Sequence, residues 1–221
     1  DLARAEKPDA IGHLDLSYFT PDSRSYASYV NAVSAGGNFA IVNRLAIYED
    51  VARAFADVFG AELNLVYEIS HNLVQRETHP EFGDVWVHRK GATRAFGPHH
   101  PHLRGTPWED AGHPVLIPGS NMDYSFILRP LDGAVRSAYS VNHGAGRRLS
   151  RTQAEKTLDR RETDSRYRRA GIVVNADGRV PIDESAPCYK PSREVIDAVV
   201  AAGLAEVEHE LWPLASLKGT D

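Results

Sequence analysis

Residues 138–151 read Ala-Tyr-Ser-Val-Asn-His-Gly-Ala-Gly-Arg-Arg-Leu-Ser-Arg. The run from Arg136 to Val141 reads as extended and stops at Asn142-His143. Gly144 and Gly146 then bracket a small residue. Glycines at alternate positions let the backbone take φ > 0 and bring its N–H groups close to an anion. Arg147, Arg148 and Arg151 follow, and a guanidinium fork matches phosphate oxygens. His143 therefore sits where a strand delivers a nucleophilic imidazole to a bound phosphate. On these residues alone, a glycine turn with a chance histidine and a solvated basic face is the competing reading. Ser150 followed by Gln153 has the pattern of a capping box, so a helix is expected from about Arg151. The rest of the chain is organised around this strand, turn and helix.

Working outward, Val115 to Ile117 reads as a strand stopped by Pro118-Gly119-Ser120, and the next strand starts at Tyr124 to Leu128. Ser120 and Ser125 flank that corner and can offer hydroxyls to a ligand, although serines at a turn are ordinarily local caps. Asp84 to His88 predicts another strand, leading into Arg89-Lys90-Gly91-Ala92-Thr93-Arg94. Three cations around a small-residue turn again suit phosphate, or simply decorate a hairpin end. The alternation of Leu63, Leu65, Tyr67 and Ile69 predicts a strand ending at Ser70-His71-Asn72. A histidine there suits a metal ligand, while a lone histidine is more often just hydrogen-bonded. His99, His100 and His102 lie between prolines and are expected in an exposed loop, not a metal site.

Asp22 or Ser23 is placed to cap a helix running to Gly60 with a soft spot at Gly36-Gly37, its Val51, Phe55, Val58 and Phe59 face packing on the core. Residues 1–21 read as a loop. Towards the end, Ile172 to Val174 and Asn175-Ala176-Asp177-Gly178 suggest a hairpin. Ser192 is expected to cap a helix with a Val195, Ile196, Val199 and Val200 stripe, and residues 207–218 a final strand.

With 221 residues and 42% hydrophobic composition, one domain segment spanning 1–221 with a proper core is expected. No apolar run approaches the roughly 20 residues of a membrane span, so no membrane partner is expected. The chain opens on Asp1, and an upstream segment is expected. The single cysteine, Cys188, rules out an internal disulfide framework and fits a reducing, cytoplasmic location. Net charge is −5, which argues against an indiscriminate polyanion binder. Between Arg147 and Arg169, however, nine Lys or Arg face four acids. Such a patch beside a phosphate-binding turn lets an acidic protein engage nucleic acid, although a solvated helix face reads equally well from charge alone.

Taken in order, these corners resemble the RtcB family of RNA-splicing ligases. The residues that carry the resemblance are Tyr67 to Asn72, Val85-Trp86-Val87-His88-Arg89-Lys90-Gly91-Ala92-Thr93-Arg94-Ala95-Phe96, Ile117-Pro118-Gly119-Ser120, His143-Gly144-Ala145-Gly146-Arg147, Ala186-Pro187-Cys188-Tyr189-Lys190 and Lys218-Gly219. The match covers most of the chain and corresponds to roughly the C-terminal half of the family. It implies an α+β fold, a mixed sheet with packed helices. It implies a GTP- and Mn²⁺-dependent ligase that joins RNA 3′-phosphate or 2′,3′-cyclic phosphate ends to 5′-hydroxyl ends, in tRNA splicing or RNA repair. The nucleophile would be His143, carrying GMP as a phosphoramidate. The resemblance makes His71 a metal ligand of a site holding two manganese ions in the complete protein. It makes Ser125, Tyr189 and Lys218 holders of guanine or its nucleoside, and puts Ser120, Gly144, Ala145 and Gly146 in the nucleotide pocket. Arg147 and Arg151, with Lys90 and Arg94, are the candidates for phosphate or RNA backbone contact.

Two departures stand out. Asn142 occupies a position where the family usually has Cys, and Asp123 follows Ser120 where the family has a glycine-containing turn, so an anion is expected near the nucleotide. The family's other metal-binding motifs precede everything seen here, which leaves the chain as given an incomplete enzyme. A catalytically incomplete relative, acting as an RNA-end or nucleotide-binding module, is the second function these residues allow.

Overall fold

The computed structural model describes residues 2–6, 13, 17–175 and 178–217. The chain divides into two compact units, Asp1–Lys90 and Gly91–Asp221. It is an α+β protein whose sheets are small and mostly antiparallel.

The first unit opens with a short helix, α1 (Leu2–Glu6), inside the stretch expected to be loop. Glu6 is held by the Ser25 hydroxyl and backbone N–H just ahead of α2 (Tyr26–Phe59). Ser25 occupies the N-cap without a side-chain cap, so neither Asp22 nor Ser23 starts the helix. Gly60, at φ 63°, ends it as expected. The helix runs unbroken through Gly36-Gly37. Gly37 is buried, and a Cβ there would lie 2.7 Å from Leu73 Cδ1, so glycine serves close approach to the neighbouring hairpin, not a break. The expected core face is open instead: Val58 and Phe59 are 72% and 70% exposed, and Val51 and Phe55 are also exposed.

No strand forms over Leu63 to Ile69. That segment is fastened along α2 by side chains: Tyr48 OH donates to the Leu63 carbonyl at 2.5 Å, and Arg44 reaches Glu68 and the Ser70 hydroxyl, the latter at 2.9 Å. Its alternating apolar residues therefore do not line a sheet face. The strands come later, as the hairpin β1 (Asn72–His79) and β2 (Gly83–Lys90). Its register, Asn72 opposite Lys90 through His79 opposite Gly83, puts Glu77 and Arg89 on the same buried face.

The second unit starts at Gly91, whose φ of 73° turns the chain into β3 (Ala92–Arg94). After a 3₁₀ turn at Pro101–Leu103 come β4 (Val115–Ile117), β5 (Ser125–Pro130) and β6 (Ser140–Asn142). The run expected to be extended from Arg136 is a 3₁₀ helix up to Ser137, and Ala138 and Tyr139 take positive φ before β6 begins. Then follow α3 (Arg151–Thr157) and α4 (Arg160–Arg169), separated at Leu158-Asp159. The Ser150–Gln153 capping box is complete, a contribution of about 1 kcal/mol. β7 (Val173–Val174), α5 (Ser192–Ala201), β8 (Ala205–Leu211) and β9 (Ala215–Ser216) complete the chain.

Strand pairing is β3–β6, β4–β5–β8 and β7–β9. β7 pairs in parallel with β9, and no hairpin after Val174 is formed among the described residues; Ala176 and Asp177 of that turn lie outside them. The main core gathers Val115, Ile117, Phe126, Leu128 and Val141 under Ile196 and Val199 of α5. Val200 of the expected stripe is exposed. A second cluster joins Tyr167, Ile172, Val174 and Val180. His100 departs from the exposed-loop expectation. It is buried and stacks on Phe96 at 4.0 Å between centroids, while His99 is solvent-facing with φ 59°. Among the described residues no helix is long and apolar enough to cross a membrane.

Candidate nucleotide site

β6 delivers His143 at its end, as the sequence indicates. The pairing of β3 with β6 brings Gly91 beside it, and His143 N–H donates to the Gly91 carbonyl at 3.2 Å. A Cβ at Gly91 would make an ordinary contact with the imidazole, 3.5 Å from His143 Cδ2, so it is the φ of 73° and not space that favours glycine there. Asn142 then closes the turn, its Nδ2 donating to the Gly144 carbonyl at 3.0 Å. This gives the unexpected asparagine a structural task. Only Gly146 of the two motif glycines has positive φ, at 76°; a Cβ on Gly144 would meet the Pro118 carbonyl oxygen at 3.5 Å. Gly146 thus needs glycine for its backbone conformation, whereas a side-chain carbon at Gly144 would make only an ordinary contact with the 118–120 turn.

Residues 146–149 run against 188–190. Lys190 N–H donates to the Gly146 carbonyl at 2.9 Å, Arg148 N–H donates to the Cys188 carbonyl at 2.7 Å, and Arg147 bridges to Tyr189. That pairing brings Tyr189 to His143's turn across more than forty residues. A cleft of about 420 Å³ results, walled by Pro118 to Asn121, His143 to Arg147, Glu184 and Tyr189. It is within the size range of small-ligand sites, roughly 300–1,000 Å³.

Arg147 is committed to the protein. Its Nε donates to the Leu149 carbonyl at 3.0 Å, Nη1 to Glu184 at 3.3 Å and to Tyr189 OH at 3.2 Å, and Nη2 to the Asp183 carbonyl at 2.5 Å. Arg151 reaches Glu184 at 3.2 Å. Glu184 also accepts from Tyr189 OH. Burial pushes the Tyr189 phenol up to about 12, helped by the Glu184 carboxylate that accepts its hydrogen bond. Burial likewise raises Tyr167 to about 12. Both lie above the ordinary value of 10.0, so the protonated phenols stabilise the fold fully below pH 10 and that contribution is lost as pH rises through about 12. In an alkaline titration followed by tyrosinate absorbance, the late-ionising fraction of the nine tyrosines is expected to shrink in Tyr189→Phe. An unchanged late fraction would contradict the Glu184 contact.

Ser120 is buried, and its Oγ accepts from Met122 N–H at 3.4 Å. Ser125 turns its hydroxyl to the 118–120 corner, accepting from Gly119 N–H at 3.1 Å. A Cβ on Gly119 would overlap the Tyr124 carbonyl oxygen, so Gly119→Ala is expected to cost about 1–3 kcal/mol by forcing the corner open. Denaturant unfolding checks the figure, and wild-type stability would show that the corner yields freely.

Asn121 adds a feature with no signal in the sequence pattern. Ala186 N–H donates to Tyr167 OH at 2.8 Å, so the phenol's proton goes to Asn121 Oδ1. That leaves Asn121 Nδ2 as a buried donor with no partner among the described residues, beside the cleft. An unmade buried hydrogen bond costs about 1–3 kcal/mol, which a ligand acceptor would recover. Pro118, Gly119 and Glu184 also join the walls without having been expected there. The first two are visible as the Pro-Gly stop before Ser120. Glu184 has no signal beyond being half of the acid pair Asp183-Glu184. Asp123, expected to place an anion near a nucleotide, is committed elsewhere: Oδ1 accepts from Tyr124 N–H at 2.8 Å and Oδ2 from Ser192 N–H at 2.7 Å. Ser192 is consequently the first residue of α5 and not its cap.

Arg94, His71, Lys90 and Lys218 are the candidates that remain. Arg94 sits over the Phe96 ring at 5.7 Å. His71 and Lys90 belong to the first unit. Lys218 lies outside the described residues. Among the described residues no three His, Cys, Asp or Glu are grouped so as to hold a metal ion. His71 and its described surroundings therefore do not fit a manganese centre by themselves.

Comparison with known proteins agrees with the resemblance. The family model for tRNA-splicing ligase RtcB matches residues 3–219. The chain is 41% identical over 206 residues to the RNA-splicing ligase RtcB of Mycobacterium tuberculosis, covering 90% of this chain and 46% of that protein. It is 36% identical over 208 residues to the tRNA-splicing ligase RtcB of Methanocaldococcus jannaschii, covering 90% and 21%. With the tRNA-splicing ligase RtcB of Aeropyrum pernix, identity is 34% over 213 residues, covering 92% and 44%. The chain spans less than half the length of these relatives.

Proposed function

Since the chain belongs to the RtcB family, we propose that it forms the nucleotide-binding and nucleophile-bearing part of a GTP-dependent RNA ligase. The observation that carries this reading is the convergence of His143, the Gly144–Arg147 backbone, the 118–121 turn and Tyr189 on one cleft. In the first step His143 attacks the α-phosphorus of GTP. A P–N bond forms, the bond to the β-phosphate oxygen breaks, and pyrophosphate leaves. In the second, an RNA 3′-phosphate oxygen takes the GMP, breaking the P–N bond and freeing the imidazole. In the third, a 5′-hydroxyl attacks the RNA phosphorus, GMP leaves, and a 3′,5′-phosphodiester remains. Cyclic ends are first hydrolysed to the 3′-phosphate.

Each role in this proposal has a physical basis. Main-chain N–H groups at the Gly144–Gly146 turn suit phosphate oxygens. Asn121 Nδ2 supplies a donor in need of an acceptor. Tyr189, held by Arg147 and Glu184, presents a ring of fixed orientation for stacking. Lys218 is proposed to read the guanine edge. Arg147 is assigned to holding the pocket together and not to gripping phosphate, because its donors already have acceptors. The manganese ions implied by the resemblance would need ligands besides His71, and no step here is routed through them.

The test is ligation of an RNA ending in 3′-phosphate to one beginning with 5′-hydroxyl by the intact protein, with GTP or ATP and manganese. Joining with GTP is expected. Lys218→Ala is expected to weaken GTP use by about 1–3 kcal/mol and erode the preference over ATP. Nucleotide binding without joining would favour the RNA-end-binding module, and an unchanged preference would remove Lys218 from base recognition.

A further inference from the structure

A second cleft, of about 480 Å³, shares Ser120 and Tyr189 with the first. Met122, Leu149 and Pro187 give it an apolar lining, and Arg148, Arg166 and Lys190 bring three positive charges. The structure sorts the basic stretch seen in the sequence. Arg147 and Arg151 are engaged by Glu184, Arg160 donates to the Val180 carbonyl, and Arg169 pairs with Glu162. Arg148, Arg166 and Lys190 are exposed, and their side chains make no ion pair or hydrogen bond among the described residues. The one carboxylate in the lining among the described residues, Asp123, already receives two backbone N–H groups. The walls are braced. Buried Tyr167 links Asn121 to Ala186, and Met122 and Ala186 pack on the second core cluster.

We propose that this second cleft binds one nucleotide of single-stranded RNA, its phosphate on Arg148, Arg166 and Lys190 and its base and ribose against the apolar lining beside Tyr189. The proposal rests on reading the neighbouring cleft as the GTP pocket, since the shared wall then sets the RNA beside the guanylate on His143. Three unpaired cations suit a phosphodiester, and an apolar floor adjoining an aromatic ring suits a base's π-face, as in sequence-tolerant single-strand sites. A free phosphate would use only the cations, and an acidic peptide would leave the apolar lining unfilled.

The experiment uses the intact protein and a fluorescent oligoribonucleotide ending in 3′-phosphate, followed by anisotropy over a range of salt concentrations. Arg166→Glu with Lys190→Glu is expected to weaken binding about tenfold or more. The slope of log affinity against log salt is expected to flatten by about 0.7 for each phosphate that the variant no longer neutralises. Labelling by α-labelled GTP is expected to persist, which also shows that the variant is folded. Unchanged affinity and slope would overturn the proposal. Loss of labelling together with binding would also overturn it, because the second cleft would then be inseparable from the first. Displacement by polyglutamate as effective as by unlabelled oligonucleotide would replace RNA with an acidic protein partner. If the wild type takes no label, the reading of the His143 cleft fails, and the anisotropy result alone decides the RNA site.

Discussion

His143→Ala is expected to abolish labelling of the protein by α-labelled GTP and, with it, the joining of RNA ends. The effect should be all-or-none because the side chain forms the bond that holds the transferred group. No other imidazole among the described residues stands in the cleft's walls. His143→Gln tests whether shape alone suffices, since glutamine keeps a polar side chain near the Gly91 turn but offers no comparable nucleophile. Both variants should bind the RNA oligonucleotide normally, because the loss concerns transfer. The neighbouring backbone should survive, since its anchor is the His143 N–H to the Gly91 carbonyl. Ligation by His143→Ala at a rate near wild type would remove the histidine from the chemistry.

Arg89→Met is expected to cost about 3–5 kcal/mol, a large fraction of a domain's usual 5–15 kcal/mol. Arg89 and Glu77 are about 97% and 96% buried, and their side chains meet in a two-armed pair, one arm at 2.9 Å. Removing the guanidinium leaves the Glu77 carboxylate in a dry interior with no partner among the described residues. Arg89→Met with Glu77→Leu should recover most of the loss, because an apolar pair of similar volume no longer buries a charge. A double-mutant cycle by denaturant unfolding of the intact protein measures this. Single and double variants of equal stability would show that the pair contributes only volume. Arg89 reads in the sequence as one of three cations around a phosphate-binding turn; its burial assigns it to the hairpin's interior.

What the sequence makes legible follows the range of the interactions concerned. The Ser150–Gln153 box, the Gly60 stop and the strand at Val115–Ile117 are local, set by hydrogen bonds or side-chain patterns within a few residues. They are readable directly. The turn at Asn142 to Arg147 is readable as a motif, but its closure is not. Asn142 bonding to Gly144, and Tyr189 arriving by pairing of 188–190 with 146–149, depend on tertiary approach.

The misreadings have the same cause. Leu63 to Ile69 alternates like a strand, yet it joins no ladder among the described residues; Tyr48 of α2 holds the Leu63 carbonyl and Arg44 the Glu68 carboxylate and the Ser70 hydroxyl beyond it. Periodicity identifies the apolar face of α2 but carries no information on whether anything covers it, and Val58 and Phe59 lie open. Gly36-Gly37 looks like a weakness because the pressure of Leu73 on Gly37 is invisible along the chain. Charge is the least legible feature. Nine cations in one stretch look alike in sequence, and only the structure separates Arg147, locked onto Glu184, from Arg148 and Arg166 on the second cleft.

In the proposed reaction the His143 cleft holds a nucleotide whose α-phosphorus is captured by the imidazole. The most direct measurement is to incubate the intact protein with α-labelled GTP and manganese, digest it and map the label by mass spectrometry. GMP is expected on the peptide containing His143, bound through nitrogen, labile in acid, stable in alkali and released when RNA bearing a 3′-phosphate is added. Label on any other residue, or a bond stable in acid, would contradict it.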